Sequence, residues 1–516
     1  MTAPAKAGDP VGERTGSADR PPAAPPRERV CAMREPGSFR DPAGHVFVVG
    51  SEVIRTVHPC AAGAFEHVLA SGILDALAQR GLMIDTAPVR GAGHQSSEFQ
   101  GARGETPVYL LRHPTLPFIS YAHEWTFAQL KDAALCHLDM QLAAMEYGLT
   151  LSDASSHNIQ FHKGRPLHID PLSLRPYQDG EPWTGYHQFC RMFLLPLLLE
   201  AWSGVGFQPF LRGGVEGIPL DAAAQLLPRH RVLLSLNGFL HVHLHARLSG
   251  AATSSQRAHR TASATRAMPR NRYLALLQEL RRWIASLQSR RGLAGHGSYW
   301  REYATVNSYS PRMQQAKAGF VAAFARRLCA NRGQIHNPPA PLICDIGGNT
   351  GEYAQVALDA GAAGAMVLDT DLDSLERAYA HAKAGARLLP LCIDVADPSP
   401  SMGWNQCERK GLIERRSAFG GLLALAVIHH LCIGRNLPLR EVVHWLVDFA
   451  PEGVIEFVPK SDPMVVGMLA AREDVFGDYD EATFVRCVQE AGEITDSLRL
   501  EDNGRLLVSY RRRRDG

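Results

Sequence analysis

The sequence lacks several features that would assign it to a protein class at once. Its ten cysteines form no C-x-x-C pair and no cysteine–histidine cluster at zinc-finger spacing, so we expect reduced thiols and no metal site. No apolar run reaches the roughly 20 residues that span a bilayer. The first 30 residues have no apolar segment typical of a secretory signal. These absences predict a cytoplasmic protein without a transmembrane segment.

The chain also lacks an excess of charge of either sign. Lysine and arginine total 54 and aspartate and glutamate total 52, for a net charge of +2. This charge is too small to predict attraction of the whole protein to nucleic acid or to anionic lipid. The run Arg511–Arg514 is basic, but such runs are usually solvated. Nucleic acid is therefore not an expected partner.

The length and the local composition predict several segments of different character. A chain of 516 residues, 45% of them hydrophobic and 21% charged, is typical of a globular protein with two to four domains. The C-terminal part alternates short apolar strands with helices, as a parallel α/β sheet does. The predicted segments are a disordered leader (1–37), an α+β domain (38–245), a flexible basic linker (246–270), a helical segment (271–340) and an α/β domain (341–516).

The most informative motif opens the α/β domain. An apolar strand, Leu342–Ile346, runs into the turn Gly347–Gly351 (GGNTG), and a helix is predicted over Tyr353–Ala360. Glycines allow the backbone to turn sharply and to approach a ligand at the carboxyl edge of a sheet. The G-x-G-x-x-G dinucleotide fingerprint fails because Asn349 and Glu352 occupy the places of its second and third glycines. A P-loop fails for lack of G-K-[ST], and D-x-G-x-x-x-G remains.

Acidic residues follow the next two predicted strands. Ala365–Leu368 is followed by Asp369 and Asp371, and Arg387–Ile393 is followed by Asp394. A carboxylate at the second strand end can accept both hydroxyls of a ribose that lies across adjacent strands. A carboxylate at the third is placed to meet an adenine amino group. Helix capping is the alternative role of each aspartate.

These motifs together resemble the class I S-adenosylmethionine-dependent methyltransferases over roughly residues 340–510. The whole arrangement is similar to a bacterial family that includes NoeA-like nodulation proteins. The resemblance implies a Rossmann-like sheet and S-adenosyl-L-methionine as the cofactor. The residues that it assigns to cofactor binding are Asp345, Gly347, Gly348, Asn349 and Gly351 at the methionine end, Asp369 or Asp371 at the ribose, Asp394 at the adenine, and Tyr309 in a segment that folds over the cofactor.

Two adjacent histidines are the candidates for a catalytic base. His429 and His430 follow the predicted strand Gly421–Ile428, where the resemblance places catalytic or substrate-facing residues. An unperturbed histidine has a pKa near ~6.5 and can accept a proton at neutral pH. Packing or a hydrogen bond to the backbone is the alternative role of either residue.

One acidic residue interrupts an otherwise apolar strand. Glu456 lies within the predicted strand Gly453–Val458 and needs a partner if it is buried. Lys460 and Arg472 are the partners nearest in sequence. The alternative is that Glu456 binds the methyl acceptor.

The N-terminal half carries a kinase-like pattern. Asp153 and Asn158 stand five residues apart, as in a kinase catalytic loop, and Asp170 follows a short hairpin at the place of a metal-binding aspartate. The pattern resembles the catalytic lobe of aminoglycoside phosphotransferases and lipopolysaccharide kinases. No lysine occurs between positions 6 and 131, so Arg55 is the cation available on a suitable strand. We favour a degenerate, pseudokinase domain over an active kinase or an unrelated fold.

The sequence therefore predicts an enzyme that moves a methyl group from S-adenosyl-L-methionine to an oxygen or nitrogen atom. The expected acceptor is a small molecule, a glycan or a lipid-linked intermediate, which the N-terminal domain would recognise. Two alternatives remain open, an ATP-binding kinase-like protein and an RNA methyltransferase. The sequence does not indicate an oligomeric state.

Overall fold

The computed structural model describes residues 32–50, 52–90, 99, 105–244, 268–291, 310–330, 341–470 and 472–513. Residues 1–31 of the predicted leader lie outside the described residues, and so do residues 246–267 of the predicted linker. Tyr309 also lies outside them. We call residues 32–291 the first unit and residues 310–513 the second unit.

The first unit begins with an antiparallel sheet of five strands in the order β1-β2-β3-β5-β4. Its first strand already pairs with the second at Met33 and Arg34, so the ordered fold starts before the predicted boundary at residue 38. Two helices separate β3 from β4. The elements are β1 (Met33–Arg34), β2 (Val46–Val49), β3 (Glu52–Val57), α1 (Pro59–Ser71), α2 (Ile73–Gln79), β4 (Ala87–Arg90) and β5 (Tyr109–Pro114).

The rest of the first unit is built around one long buried helix, α3 (Phe127–Glu146). This helix begins where it does because Thr126 and Gln129 form a capping box, in which each side chain bonds the other's backbone N–H. The remaining elements are β6 (Leu149–Leu151), β7 (Ile159–His162), β8 (Arg165–His168), β9 (Leu174–Pro176), α4 (Tyr186–Phe189), α5 (Leu195–Leu198), α6 (Gln208–Gly213), α7 (Leu220–Leu226), α8 (Arg229–Leu234), α9 (Leu236–Gly238) and α10 (Arg270–Ser286), with π-helical turns at Cys190–Leu194, Leu199–Ser203 and Phe239–Leu244.

The predicted helical segment 271–340 is divided between the two units. Helix α10 packs on α3, where Tyr273 bonds Gln141 and Arg281 pairs with Asp139. Its apolar stripe is thus buried in the first unit. The next helix, α11 (Pro311–Ala330), packs on the second unit.

The second unit is a seven-stranded sheet in the order β12-β11-β10-β13-β14-β16-β15. The first five strands in that order are parallel, and β16 is antiparallel to both of its neighbours, β14 and β15, so the predicted α/β sheet is confirmed. Its elements are β10 (Leu342–Ile346), α12 (Glu352–Asp359), β11 (Gly364–Asp369), α13 (Leu372–Lys383), β12 (Leu388–Cys392), α14 (Leu412–Arg415), β13 (Phe419–Ala424), α15 (Leu439–Phe449), β14 (Glu452–Phe457), α16 (Pro463–Leu469), α17 (Glu481–Ala491), β15 (Gly492–Arg499) and β16 (Leu506–Arg512).

The two units share one hydrophobic core. Buried apolar side chains form a continuous cluster from Phe118 in the first unit to Tyr510 in the last strand. Phe118 stacks on Phe419 at the start of β13, with the ring centroids 5.3 Å apart. Beside this stack Arg415 makes a buried, two-pronged ion pair with Glu124, at 2.5 and 3.1 Å. The units are therefore fused through their interiors.

Among the described residues, no single helix has both the length and the apolar composition that crossing a bilayer requires. The pair α1 and α2 meets that test only when the two are taken together, across a bend of 61°.

Candidate functional site

The loop between β10 and α12 has the sharp backbone that its glycines predict. Gly347 and Gly351 have φ angles of 67° and 81°, and Asn349 between them has a φ of 51°. The Gly347 N–H donates to the carbonyl of Leu368 at 2.8 Å, which ties the loop to the end of β11. A Cβ on Gly348 would lie 2.7 Å from the carboxylate of Asp345. The loop thus follows a path that side chains at these glycines would block.

Asp345 lies directly beneath this loop, at the end of β10. Its side chain is buried, and its Oδ2 atom has no hydrogen-bond partner among the described residues. Burial raises the pKa of Asp345 to about 7, although the charge of Lys317 opposes this shift. A buried carboxylate oxygen without a partner is costly. The oxygen is an acceptor for a cationic or N–H donating group held at the loop.

Asp369, at the end of β11, faces the same loop. Its Oδ2 accepts the Asn349 N–H at 2.9 Å, and its Oδ1 accepts the N–H groups of Thr370 and Asp371 at 2.7 and 2.9 Å. Burial raises the pKa of Asp369, and these backbone donors counter the shift. A carboxylate offers about four acceptor positions. Asp369 thus anchors the glycine loop and retains capacity for one more donor.

Asp371 has a different role from the one that the resemblance allowed. It is the N-cap residue of α13, where Oδ1 accepts the Asp373 N–H at 3.2 Å and Oδ2 accepts the Ser374 hydroxyl at 2.8 Å. Both oxygens therefore serve the helix end. Of the two aspartates proposed for the ribose, the structure favours Asp369.

Replacing Asp371 by alanine should lower the free energy of unfolding by about 1 kcal/mol, the usual loss when a capping side chain is removed. Chemical unfolding of the variant beside the wild type measures this. We expect any ligand affinity at the glycine loop to stay within about twofold, because Asp369 still holds Asn349. A variant of unchanged stability would contradict the capping role.

Asp394 follows β12, as predicted, but its carboxylate already has two partners. Oδ1 accepts the Ala396 N–H at 2.9 Å, and Oδ2 accepts from Arg435 at 2.5 Å. Both side chains are partly exposed. Asp394 also lines a cavity of about 540 Å³ that extends from the ends of β11 and β12 toward the first unit.

The two histidines lie farther beyond the strand end than predicted. Strand β13 ends at Ala424, and the following segment packs Val427 against the Gly347 position. His429 is fully buried, neither ring nitrogen is hydrogen-bonded to a described residue, and burial holds its pKa well below 6.5. Burial and the charge of Arg505 lower the pKa of His430 to about 4. Both rings are neutral at pH 7, and His430 is the more accessible of the two.

Glu456 is paired, but with neither of its sequence neighbours. Its Oε2 accepts from Lys317 Nζ at 2.7 Å, and its Oε1 lies 3.5 Å from Arg505, which also bonds Asp462 at 2.8 Å. These four side chains are buried and form a network behind Asp345. Sequence reasoning missed Lys317 and Arg505 because they lie on distant elements.

The two residues that we expected to pair with Glu456 have other partners. Lys460 pairs with Asp474 at 2.8 Å, and Arg472 donates to the carbonyl of Ile433 at 2.5 Å. Both contacts lie near the protein surface, so neither side chain neutralises Glu456.

The kinase-like residues of the first unit also come together. Asn158 donates to Asp153 at 3.1 Å, and burial, together with the charge of Asp170, raises the pKa of Asp153. Arg55 on β3 pairs with Asp170 at 3.0 Å and with Asp41 at 2.5 Å. The carboxylate that a metal ion would need is thus held by a guanidinium. Among the described residues, no group of three or more histidine, cysteine, aspartate or glutamate side chains is placed to hold a metal ion.

Comparison with curated proteins finds similarity along almost the whole chain. The sequence is 38% identical over 481 residues to the Nodulation protein NoeA of Rhizobium meliloti (strain 1021), covering 93% of this chain and 96% of that protein. No protein-family model matches the sequence.

Solved structures give partial matches. They include N-methyltransferase NodS from Bradyrhizobium japonicum WM9 (13% identity, TM-score 0.28, 39% of this chain and 98% of that one). Magnesium protoporphyrin IX methyltransferase (ChlM) from Synechocystis PCC 6803, solved with bound SAH, matches at 16% identity and TM-score 0.28, over 42% of this chain and 93% of that one. The bifunctional kinase-methyltransferase WbdD matches at 11% identity and TM-score 0.27, over 42% of each chain. Scores this low carry no conclusion about the chain.

Proposed function

We propose a methyl-transfer function for this chain, which belongs to the NoeA family of nodulation proteins. The observation that carries the proposal is the glycine loop after β10, anchored by Asp369 from the neighbouring strand. A nucleoside with a charged tail fits such an edge, because the ribose can meet a carboxylate while the tail lies along the loop. We propose S-adenosyl-L-methionine as this ligand.

The residues present fit the cofactor at its charged end. The buried Oδ2 of Asp345 has no hydrogen-bond partner among the described residues, and an ammonium group at the loop would provide one. Gly347, Gly348, Asn349 and Gly351 would surround the methionine portion, and Asp369 would hold the ribose. S-adenosyl-L-methionine supplies a methyl group on a sulfonium, which is already activated for transfer.

The chain's own contribution is then to position the acceptor and to remove its proton. In-line orientation accounts for much of the rate of such a displacement. For an oxygen or protonated nitrogen acceptor we propose His430 as the base, since it is less buried than His429. Its pKa of about 4 keeps the ring unprotonated at neutral pH, as a base must be, and makes it a weaker base than a free histidine.

We propose that the acceptor is a small molecule, a glycan or a lipid-linked intermediate bound with the help of the first unit, which is fused to the second through their shared core. We propose that the kinase-like residues are inactive in phosphoryl transfer, because the carboxylate of Asp170 is already paired with Arg55. The described cysteines are free thiols, which favours a cytoplasmic location.

Calorimetry with S-adenosylhomocysteine tests this function. The wild-type protein should bind it, and Asp369→Asn should weaken binding about 30-fold, the order expected when hydrogen bonds to a charged group are lost. Asp371→Asn is the matched control, because it changes the neighbouring carboxylate that serves only the helix end. A wild-type protein that fails to bind would contradict the proposed function. Equal losses in the two variants would contradict the role of Asp369.

A further inference from the structure

The cavity of about 540 Å³ at the ends of β11 and β12 has walls from both units. Its volume is sufficient for a purine base with room for solvent. The second unit contributes the residues that follow its strands, and the first unit closes the opposite side. The lining includes His123, Gln208 and Arg212 from the first unit and Thr370, Ile393 and Asp394 from the second.

His123 is a buried side chain of this lining. Its residue is only 3% exposed, and neither ring nitrogen makes a hydrogen bond to any residue that the structure describes. The nearest carboxylate oxygen, on Glu124, lies 3.9 Å from Nε2, which is too far for a hydrogen bond. The ring is held in place by stacking on Tyr121, with the centroids 5.8 Å apart. A buried imidazole without a partner is costly, and His123 lines a cavity in which a ligand can supply one.

The ionisation state of His123 suits a neutral ligand group. Burial lowers its pKa to about 4, so the ring is uncharged at neutral pH. A neutral imidazole has one N–H donor and one acceptor nitrogen. Adenine offers ring nitrogens as acceptors and an amino group as a donor, and either can pair with this side chain.

Three other polar residues of the cavity already have partners. Gln208 donates to the Trp125 carbonyl at 3.0 Å, and Arg212 makes a two-pronged contact with Asp397 at 3.0 Å. Asp394, which the resemblance assigned to adenine, is held by Arg435. Among the buried polar side chains of this lining, His123 is therefore the one whose ring nitrogens have no hydrogen bond to the described residues.

We propose that His123 of the first unit binds the adenine base of the cofactor, so that the first unit completes the cofactor site of the second. This inference rests on the proposed function. It names a binding residue outside the α/β sheet, more than 200 positions before the glycine loop. The first unit would thereby help to bind the cofactor as well as the acceptor.

Calorimetry with two ligands tests the proposal. S-adenosylhomocysteine carries the base, the ribose and the amino-acid end, whereas 5′-methylthioadenosine lacks the amino-acid end. His123→Phe keeps an aromatic ring against Tyr121 and removes both nitrogens. We expect it to weaken both ligands by the same factor of about five to ten, the loss of one neutral hydrogen bond.

The matched control is His137→Phe. His137 is also fully buried with neither ring nitrogen bonded, but it packs in the first unit's core against Phe189 and Phe193 and does not line the cavity. We expect this variant to bind both ligands as the wild type does. If phenylalanine at position 123 prevents folding, His123→Leu serves the same purpose.

The outcomes separate the inference from the function on which it rests. A wild-type protein that binds no S-adenosylhomocysteine overturns both. Wild-type binding with an unchanged affinity in folded His123→Phe, or a loss confined to S-adenosylhomocysteine, overturns the role of His123 and leaves the function standing. A crystal structure of the wild type with S-adenosylhomocysteine is the test without a variant. A base within 3.2 Å of a His123 nitrogen supports the proposal, and a base outside the cavity overturns it.

Discussion

Replacing Gly348 by alanine is expected to weaken binding of S-adenosylhomocysteine by about 100-fold, the order expected when the loop no longer makes its hydrogen bonds to a charged ligand group. The added Cβ would lie 2.7 Å from the carboxylate of Asp345 and 2.9 Å from a methyl group of Val367. Asp345 is buried and Val367 belongs to β11, so neither can move into solvent. The loop must shift instead. Calorimetry on the purified variant measures the change.

The control for this variant is a glycine with space around it. Gly319 lies within α11, and nothing lies within 4 Å of a Cβ built there. Gly319→Ala should bind as the wild type does and gain about 0.5–1 kcal/mol of stability, because alanine favours a helix interior. If Gly348→Ala folds and binds as well as this control, the close packing of the loop is not what shapes the site.

Replacing Arg505 by methionine is expected to lower the free energy of unfolding by about 3–5 kcal/mol, as when one partner of a buried ion pair is removed. Arg505 is 1% exposed and lies between two buried carboxylates, bonding Asp462 at 2.8 Å and approaching Glu456 at 3.5 Å. Methionine fills part of the space and supplies no charge. Asp462 would then be left buried without its counter-ion. Urea unfolding compared with the wild type measures the loss.

An exposed arginine in the same sheet provides the comparison. Arg499 on β15 pairs with Glu481 at the surface, where its side chain is 53% exposed. Arg499→Met should cost less than about 1 kcal/mol, because solvent screens the pair and replaces its contacts. Similar losses for the two variants would show that burial does not govern the strength of the Arg505 contacts.

The sheet of the second unit could be predicted because its signals are local. Leu342–Ile346 is observed as predicted, and the strands before Asp369 and Asp394 differ from their predicted bounds by one residue at either end. A run of five or six apolar residues predicts a buried strand, and the acidic residue after it marks the carboxyl end of that strand. Both signals lie within the same short stretch of sequence. The strand before His429 was predicted too long, because Leu425, Val427 and Ile428 are apolar and buried after the strand has ended.

The partners of buried polar groups could not be predicted in the same way. Glu456 lies 139 residues from Lys317, and no local pattern relates the two. Likewise, no sequence pattern marks His123 as a binding residue. Only the fold shows that it lies against the strand ends of the other unit. The sequence left open whether Asp371 caps a helix or binds the ribose. The hydrogen bonds at the start of α13 show that it caps the helix. Strand ends follow from sequence periodicity, whereas partners across the core follow from tertiary structure.

The buried pair of Glu124 and Arg415 has a consequence for how this protein can evolve. The two residues stand 291 positions apart in the sequence and touch inside a core that both units build. Removing either partner would leave the other charge buried without its counter-ion, so a change at one position has to be matched by a change at the other. We expect a chimera that joins the first half of one relative to the second half of another to lose stability where this pair is broken. We therefore expect the two halves to be exchangeable only together, although the sequence has the outline of two domains.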